Sequence, residues 1–170
     1  MNRLSLRTET LLAIACAGAI GLLIASELMT TFEFTPPGGE ALQASDASDR
    51  HHYALLVLAV FALGALAVTL LTGAKPAALA IAVAGAIALL IFLIGDLPDA
   101  GKIGTLDDPQ QSFIDAKAEP QLGFWLELIG AVLLTLCGTA LATMRPEQLA
   151  LGSRWGQGPR RTEASETKVG

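Results

Sequence analysis

The sequence predicts an all-α protein, a four-helix transmembrane bundle with two acidic extracytoplasmic loops and cytoplasmic termini. Three observations lead there. First, four long apolar runs, residues 11–29, 53–72, 77–95 and 122–144, take up about half of the chain. At about 1.5 Å of rise per residue, each comes close to the roughly 30 Å hydrocarbon thickness of a bilayer. Second, no ionisable side chain interrupts Ala54–Gly73 or Ala77–Gly95. A soluble bundle would show a charged face every few residues, whereas helices hydrophobic all round are what lipid demands. Third, basic residues sit on alternate segments. Arg3, Arg7, Lys75, Arg145, Arg154, Arg160, Arg161 and Lys168 belong to the N-terminus, the second loop and the C-terminal tail, and only Arg50, Lys102 and Lys117 to the other two loops. Eight against three is a positive-inside pattern, which places both termini in the cytoplasm and the loops 30–52 and 96–121 outside.

The chain thus divides into a cytoplasmic lead (1–10), a transmembrane domain (11–144) and a cytoplasmic tail (145–170). The tail is polar, contains glycine and lacks periodicity, so it is expected to be largely disordered. The net charge of −5 argues against nucleic acid as a partner. The bilayer is the one partner the sequence demands.

Span one begins near basic residues, and Leu12-Ala13-Ile14-Ala15-Cys16 has the outline of a lipoprotein cleavage box. Only five apolar residues precede Cys16, fewer than the roughly seven a signal core needs, so a retained span is expected. Ala17, Gly21 and Ala25 recur every four residues and form a groove that another helix can approach closely. In the first outer loop, Thr31–Thr35 alternates before Pro36-Pro37-Gly38-Gly39, the pattern of a short β-hairpin; 44–50 is polar and expected to be mobile.

Spans two and three are joined by Gly73-Ala74-Lys75-Pro76, a glycine suited to the end of one helix and a proline suited to the first turn of the next. So short a link makes them antiparallel neighbours. Span three is rich in small residues (Ala78, Ala82, Ala84, Gly85, Ala86, Ala88), which suggests a place near the middle of the bundle. In the third loop, Pro109 with Asp107 or Asp108 as cap predicts a helix over Gln110–Ala118 lying along the membrane surface. Phe124 and Trp125 mark the outer interface of span four, Arg145-Pro146 ends it, and 147–151 suits a single interfacial turn.

The polar residues inside or beside the spans are few. Glu127 lies in span four on a face with Gly123, Ala131, Thr135 and Thr139, spaced by four, so it is expected to point into the bundle. Glu27 ends span one and Asp96 follows span three, both on the outer side. Glu127, Glu27 and Asp96 are therefore the candidate ligand- or cation-binding residues, three carboxylates that could converge on an acidic mouth. The competing reading has each solvated among headgroups. His51 and His52 precede span two. Adjacent helical residues point about 100° apart, so this pair is not expected to share an ion, and no metal or cofactor is expected. Cys16 and Cys137 lie within spans one and four, and neither outer loop contains a cysteine, which counts against disulfide-braced outer domains of claudin or tetraspanin type.

No catalytic, phosphate-binding or metalloprotease motif is present, so an enzyme is not expected. Alanine-rich spans with short basic cytoplasmic ends resemble small, uncharacterised four-span inner-membrane proteins of high-GC, actinobacterial-type bacteria. The resemblance implies a multi-pass plasma-membrane location and transfers neither an activity nor a site residue. The expected function is a non-enzymatic accessory or scaffold that binds a membrane-protein partner or forms a homo-oligomer. The alternative is a small oligomeric transporter or ion-conducting protein working through the three carboxylates.

Overall fold

A computed structural model describes residues 2–40, 43–46, 51–108 and 111–149. The elements are α1 (Asn2–Glu27), β1 (Thr30–Thr35), β2 (Gln43–Asp46), α2 (Ala54–Thr72), α3 (Lys75–Ile91), β3 (Ile103–Asp108), β4 (Gln111–Pro120), α4 (Leu122–Thr143) and the short α5 (Pro146–Leu149). Among the described residues, four helices are long and apolar enough to cross a membrane. The pattern of exposure agrees with that environment. Ile14, Val57, Val60, Phe61, Leu79, Val83, Leu90, Ile129 and Leu136 all face outward, an apolar belt that lipid accepts and water does not.

The four helices form a ring in which each packs on two neighbours: α1 on α2, α2 on α3, α3 on α4, and α4 back on α1. Span three is therefore not central, as its small residues suggested; they serve one close contact instead. A Cβ on Gly85 would lie 2.5 Å from the backbone nitrogen of Thr135, and one on Gly138 would press against the backbone nitrogen of Ala82. Two backbones can approach this closely only where glycine leaves the space. The other expected groove, on α1, is not used inside the chain: Gly21 has nothing within 4 Å of where its Cβ would be. Gly73 ends α2 in the left-handed conformation (φ 71°), and its N–H donates to the Thr69 carbonyl at 2.9 Å. Pro76 lies in the first turn of α3, so this connection forms as the sequence indicated.

Helix boundaries depart from the expected spans at three points. α1 begins at Asn2, so the lead continues the helix, and it stops at Glu27 because Thr30 already belongs to β1. α3 does not stop at Gly95. It continues through a π-turn (Phe92–Asp96), closed by the Leu97 N–H donating to the Phe92 carbonyl, and a 3-10 turn (Leu97–Asp99). Beyond α4, Pro146–Leu149 makes the single turn expected there, and residues 150–170, the bulk of the tail, lie outside the described residues.

The protein is mostly helical but not all-α. A four-stranded antiparallel sheet in the order β2-β1-β4-β3 caps one end of the bundle. The β1–β2 hairpin matches the alternation of Thr31–Thr35, but its second strand takes in residues 44–46, expected to be mobile, and 47–50 lie outside the described residues. Where a surface helix was expected over 110–118, residues 111–118 belong instead to strand β4, residue 110 lying outside the described residues. Ala, Lys and Glu favour a helix locally, but in β4 Ala116 and Ala118 are buried while Asp115, Lys117 and Glu119 are exposed. That two-residue period matches β1, with which β4 pairs from Phe32↔Pro120 to Thr35↔Lys117. Pairing of β1 with β4 joins the two long loops into one body.

The sheet rests on the helices through aromatic contacts. Phe32 of β1 meets Phe124 of α4 edge-on at 5.6 Å, and Phe92 of the π-turn lies 4.7 Å from the same ring. Ala118 completes the cluster. The Gln121 N–H donates to the Thr31 carbonyl at 2.9 Å. Gly123 lets this junction close, since a Cβ there would lie 2.8 Å from the carbonyl oxygens of Met29 and Thr30.

Candidate functional site

The three carboxylates singled out in the sequence are all fully buried at the sheet-bearing end, with Glu27 1% exposed and Asp96 and Glu127 0%. None is a solvated helix end. Two of them converge, and the third has a separate task.

Glu27 caps a helix. Its Oε1 accepts hydrogen bonds from the Leu55 and Leu56 backbone N–H groups at 2.9 and 3.2 Å. These belong to the first turn of α2, whose own flanking residue, Tyr53, makes no side-chain cap. A helix beginning in an apolar setting leaves its first N–H groups without acceptors, and the last residue of α1 supplies one. The carboxylate also meets the positive end of the α2 dipole.

Asp96 and Glu127 come together with His51, which sequence reasoning considered but did not place with the three carboxylates. The Nε2 of His51 lies 2.8 Å from Asp96 Oδ2, with the imidazole 10% exposed. One ligand atom from each of His51, Asp96 and Glu127 lies within 4.8 Å of the others. The three come from separate segments: the link before α2, the π-turn extending α3, and the second turn of α4. The π-turn keeps Asp96 within the helix, buried on the same side as Phe92. Such single turns recur at functional sites because they re-aim one side chain without ending the helix. His51 is held by the backbone that follows it. His52 and Tyr53 both adopt left-handed conformations, at φ 50° and 64°, which cost about 1 kcal/mol or more each outside glycine. Gly95 makes room for the ring, since a Cβ there would lie 3.1 Å from His51 Cε1.

The expectation that His51 and His52 diverge holds: His51 turns inward while His52 is exposed. That expectation weighed only the two neighbouring histidines against each other, whereas the partners of His51 come from other elements. Nothing in the local spacing signals a convergence of residues 51, 96 and 127. The face assigned to Glu127 is also only half right. Gly123, Glu127 and Ala131 are buried, but Thr135 is half-buried and Thr139 exposed. Each step of four residues overshoots a helical turn by about 40°, so the stripe leaves the interior after two steps, and burial moves to Leu134, Cys137, Gly138 and Leu141. Both threonine hydroxyls donate to the backbone carbonyl four residues earlier, at 2.8 and 2.7 Å, which satisfies them within their own helix. Deeper in the bundle, Cys16 of α1 and Cys137 of α4 are buried free thiols.

The second candidate region is the face of the sheet turned away from the bundle. Glu33 and Glu119 stand directly opposite each other on β1 and β4, and Thr35, Lys117 and Ile103 form the adjoining row across three strands. Ile103 is 71% exposed. Between this row and the Pro36–Gly39 turn runs a groove of about 360 Å³. Gln121 Nε2 donates to Glu33 at 3.1 Å.

No protein-family model matches the chain, and comparison with curated proteins and with solved structures found no match either.

Proposed function

We propose that this chain is a non-enzymatic accessory protein of a bacterial plasma membrane, with both termini cytoplasmic, that uses its outer sheet to bind an extended basic segment of a partner. The positive-inside asymmetry supports the orientation. The groove beside Ile103 and Lys117 carries the functional reading. Its walls are apolar and conformationally stiff at Pro36 and Pro37, and acidic side chains border it at Asp115 and Glu119. The direct Glu33–Glu119 opposition costs stability when left to itself, because like charges on facing strand positions repel. An arginine or lysine from a partner seated there replaces that repulsion with charge-assisted hydrogen bonds.

Ion conduction, the other function considered, is less well supported. The buried carboxylates lie near the ends of the helices, Glu9 at one end of the bundle and Glu27, Asp96 and Glu127 at the other, and no Asp, Glu, Lys or Arg occurs in 10–26, 54–74, 77–95 or 128–144 to connect them.

The test is site-specific photocrosslinking in cells. A crosslinker at Ile103 is expected to give a discrete adduct that one at lipid-facing Val57 does not give, and Glu119→Lys in the same chain should remove it. An absent adduct, or one indifferent to the charge reversal, would falsify the docking reading.

A further inference from the structure

We infer that His51, Asp96 and Glu127 form a binding site for a divalent first-row transition-metal ion of the zinc type, buried between the bundle and the sheet. This inference stands apart from the docking groove. It rests on the convergence of three donors from three segments within 4.8 Å, and on three physical matches between that cluster and such an ion.

The first match is geometric. Around a tetrahedral ion with bonds of about 2.0–2.1 Å, donor atoms stand about 3.3 Å apart. The His51–Asp96 contact of 2.8 Å opens by about 0.5 Å and the widest separation, at most 4.8 Å, closes by about 1.5 Å. Side-chain rotations supply movements of that size, with no displacement of the helices. The second is charge. A dication, one neutral imidazole and two carboxylates sum to zero, the state a buried site beside lipid favours. The third is donor chemistry. An imidazole nitrogen with carboxylate oxygens suits zinc and its neighbours, whereas magnesium and calcium prefer six or more oxygens. Three protein donors leave a fourth position for water or another ligand.

The ion would tie the link before α2, the end of α3 and the second turn of α4 into one unit. Phe92 and Phe124, on which the sheet rests, lie one helical turn from Asp96 and Glu127. Occupancy would thus reach the sheet through these two rings. The left-handed pair His52–Tyr53 and the space at Gly95 both serve to aim His51 at this point.

The experiment uses the full chain, purified in mild detergent without a histidine tag, stripped with chelator and titrated with Zn²⁺. One ion per chain is expected after desalting, with a rise in thermal midpoint that Mg²⁺ at the same concentration does not give. His51→Ala should weaken binding about 100-fold or more, since even residues supporting a ligand contribute about 10–100-fold. His52→Ala should bind as the wild type does. Because His51→Ala also removes a packed ring, Co²⁺-loaded wild type supplies a second readout independent of any variant. Its visible absorption should be that of a four- or five-coordinate ion, and X-ray absorption should show one imidazole among oxygen donors. A wild type that retains no zinc, or zinc retained equally by His51→Ala, overturns the assignment, as does a six-oxygen cobalt spectrum.

Discussion

The middle of the bundle and its sheet-bearing end are held together by different physics. In the middle, α3 and α4 touch through Gly85 and Gly138 so closely that a methyl group has no room. Nearby hydroxyls are satisfied inside their own helices, and the contact needs no polar partner. At the sheet-bearing end, four ionisable side chains from three helices and one link are buried. There each group depends on a counterpart elsewhere in the chain, as Glu27 does on the α2 N-terminus and His51 on Asp96. The difference separates what makes the chain fold in lipid from what makes its end chemically specific. Close backbone packing is enough for the first. A polar cluster near lipid is costly to build, and among the described residues His51, Asp96 and Glu127 build one at the sheet-bearing end.

This contrast can be broken or sharpened by substitution, measured as thermal midpoint in detergent. The largest loss is expected for Gly138→Ala, about 3 kcal/mol, because the added Cβ meets backbone atoms of α3 that cannot rotate away. Glu27→Leu comes next, at about 2 kcal/mol, since it leaves the Leu55 and Leu56 N–H groups without their acceptor. Glu27→Gln, which keeps an acceptor oxygen, should lose less than half of that. If Gln and Leu prove equally damaging, the role of Glu27 is not that of a cap. Gly95→Val should lower stability by about 1 kcal/mol through crowding against the His51 ring, and it should weaken zinc retention though residue 95 is not a ligand. The smallest effect, within about 0.5 kcal/mol, is expected for Gly21→Leu, which adds a side chain where there is open space. A loss comparable to that of Gly138→Ala would show that α1 packs on another copy of the chain.

What could be read from the sequence follows the range of the interactions involved. The spans follow from hydropathy and length, which are local, and so does the Gly73–Pro76 turn. The β1–β2 hairpin was legible in Thr31–Thr35 for the same reason. β4 was not, although Asp115-Ala116-Lys117-Ala118-Glu119 alternates small and charged residues in a period of two. The helix preference of those same residues, with Pro109 as an apparent start, outweighed the alternation until β1 supplied a partner strand. The site was legible by half. Buried carboxylates near span ends stand out in an apolar sequence, so Asp96 and Glu127 could be named. Their company could not, because His51 is 45 residues from Asp96 and reaches it only through tertiary structure. Glu27 carried the same signal as the other two and turned out to hold a helix end. Residue type and depth alone do not separate a capping carboxylate from a ligating one.

Accessibility in intact cells tests most directly whether the sheet and its buried cluster lie on the outer side. Cys16 and Cys137 are buried, which keeps the background low. Cysteine introduced by Glu40→Cys, on the exposed chain beside the groove, is compared with Arg145→Cys, exposed at the opposite end. A membrane-impermeant thiol reagent is expected to label the first and to reach the second only after the cells are opened. Labelling at residue 145 in sealed cells, or protection of residue 40, contradicts a sheet that faces outward to a partner.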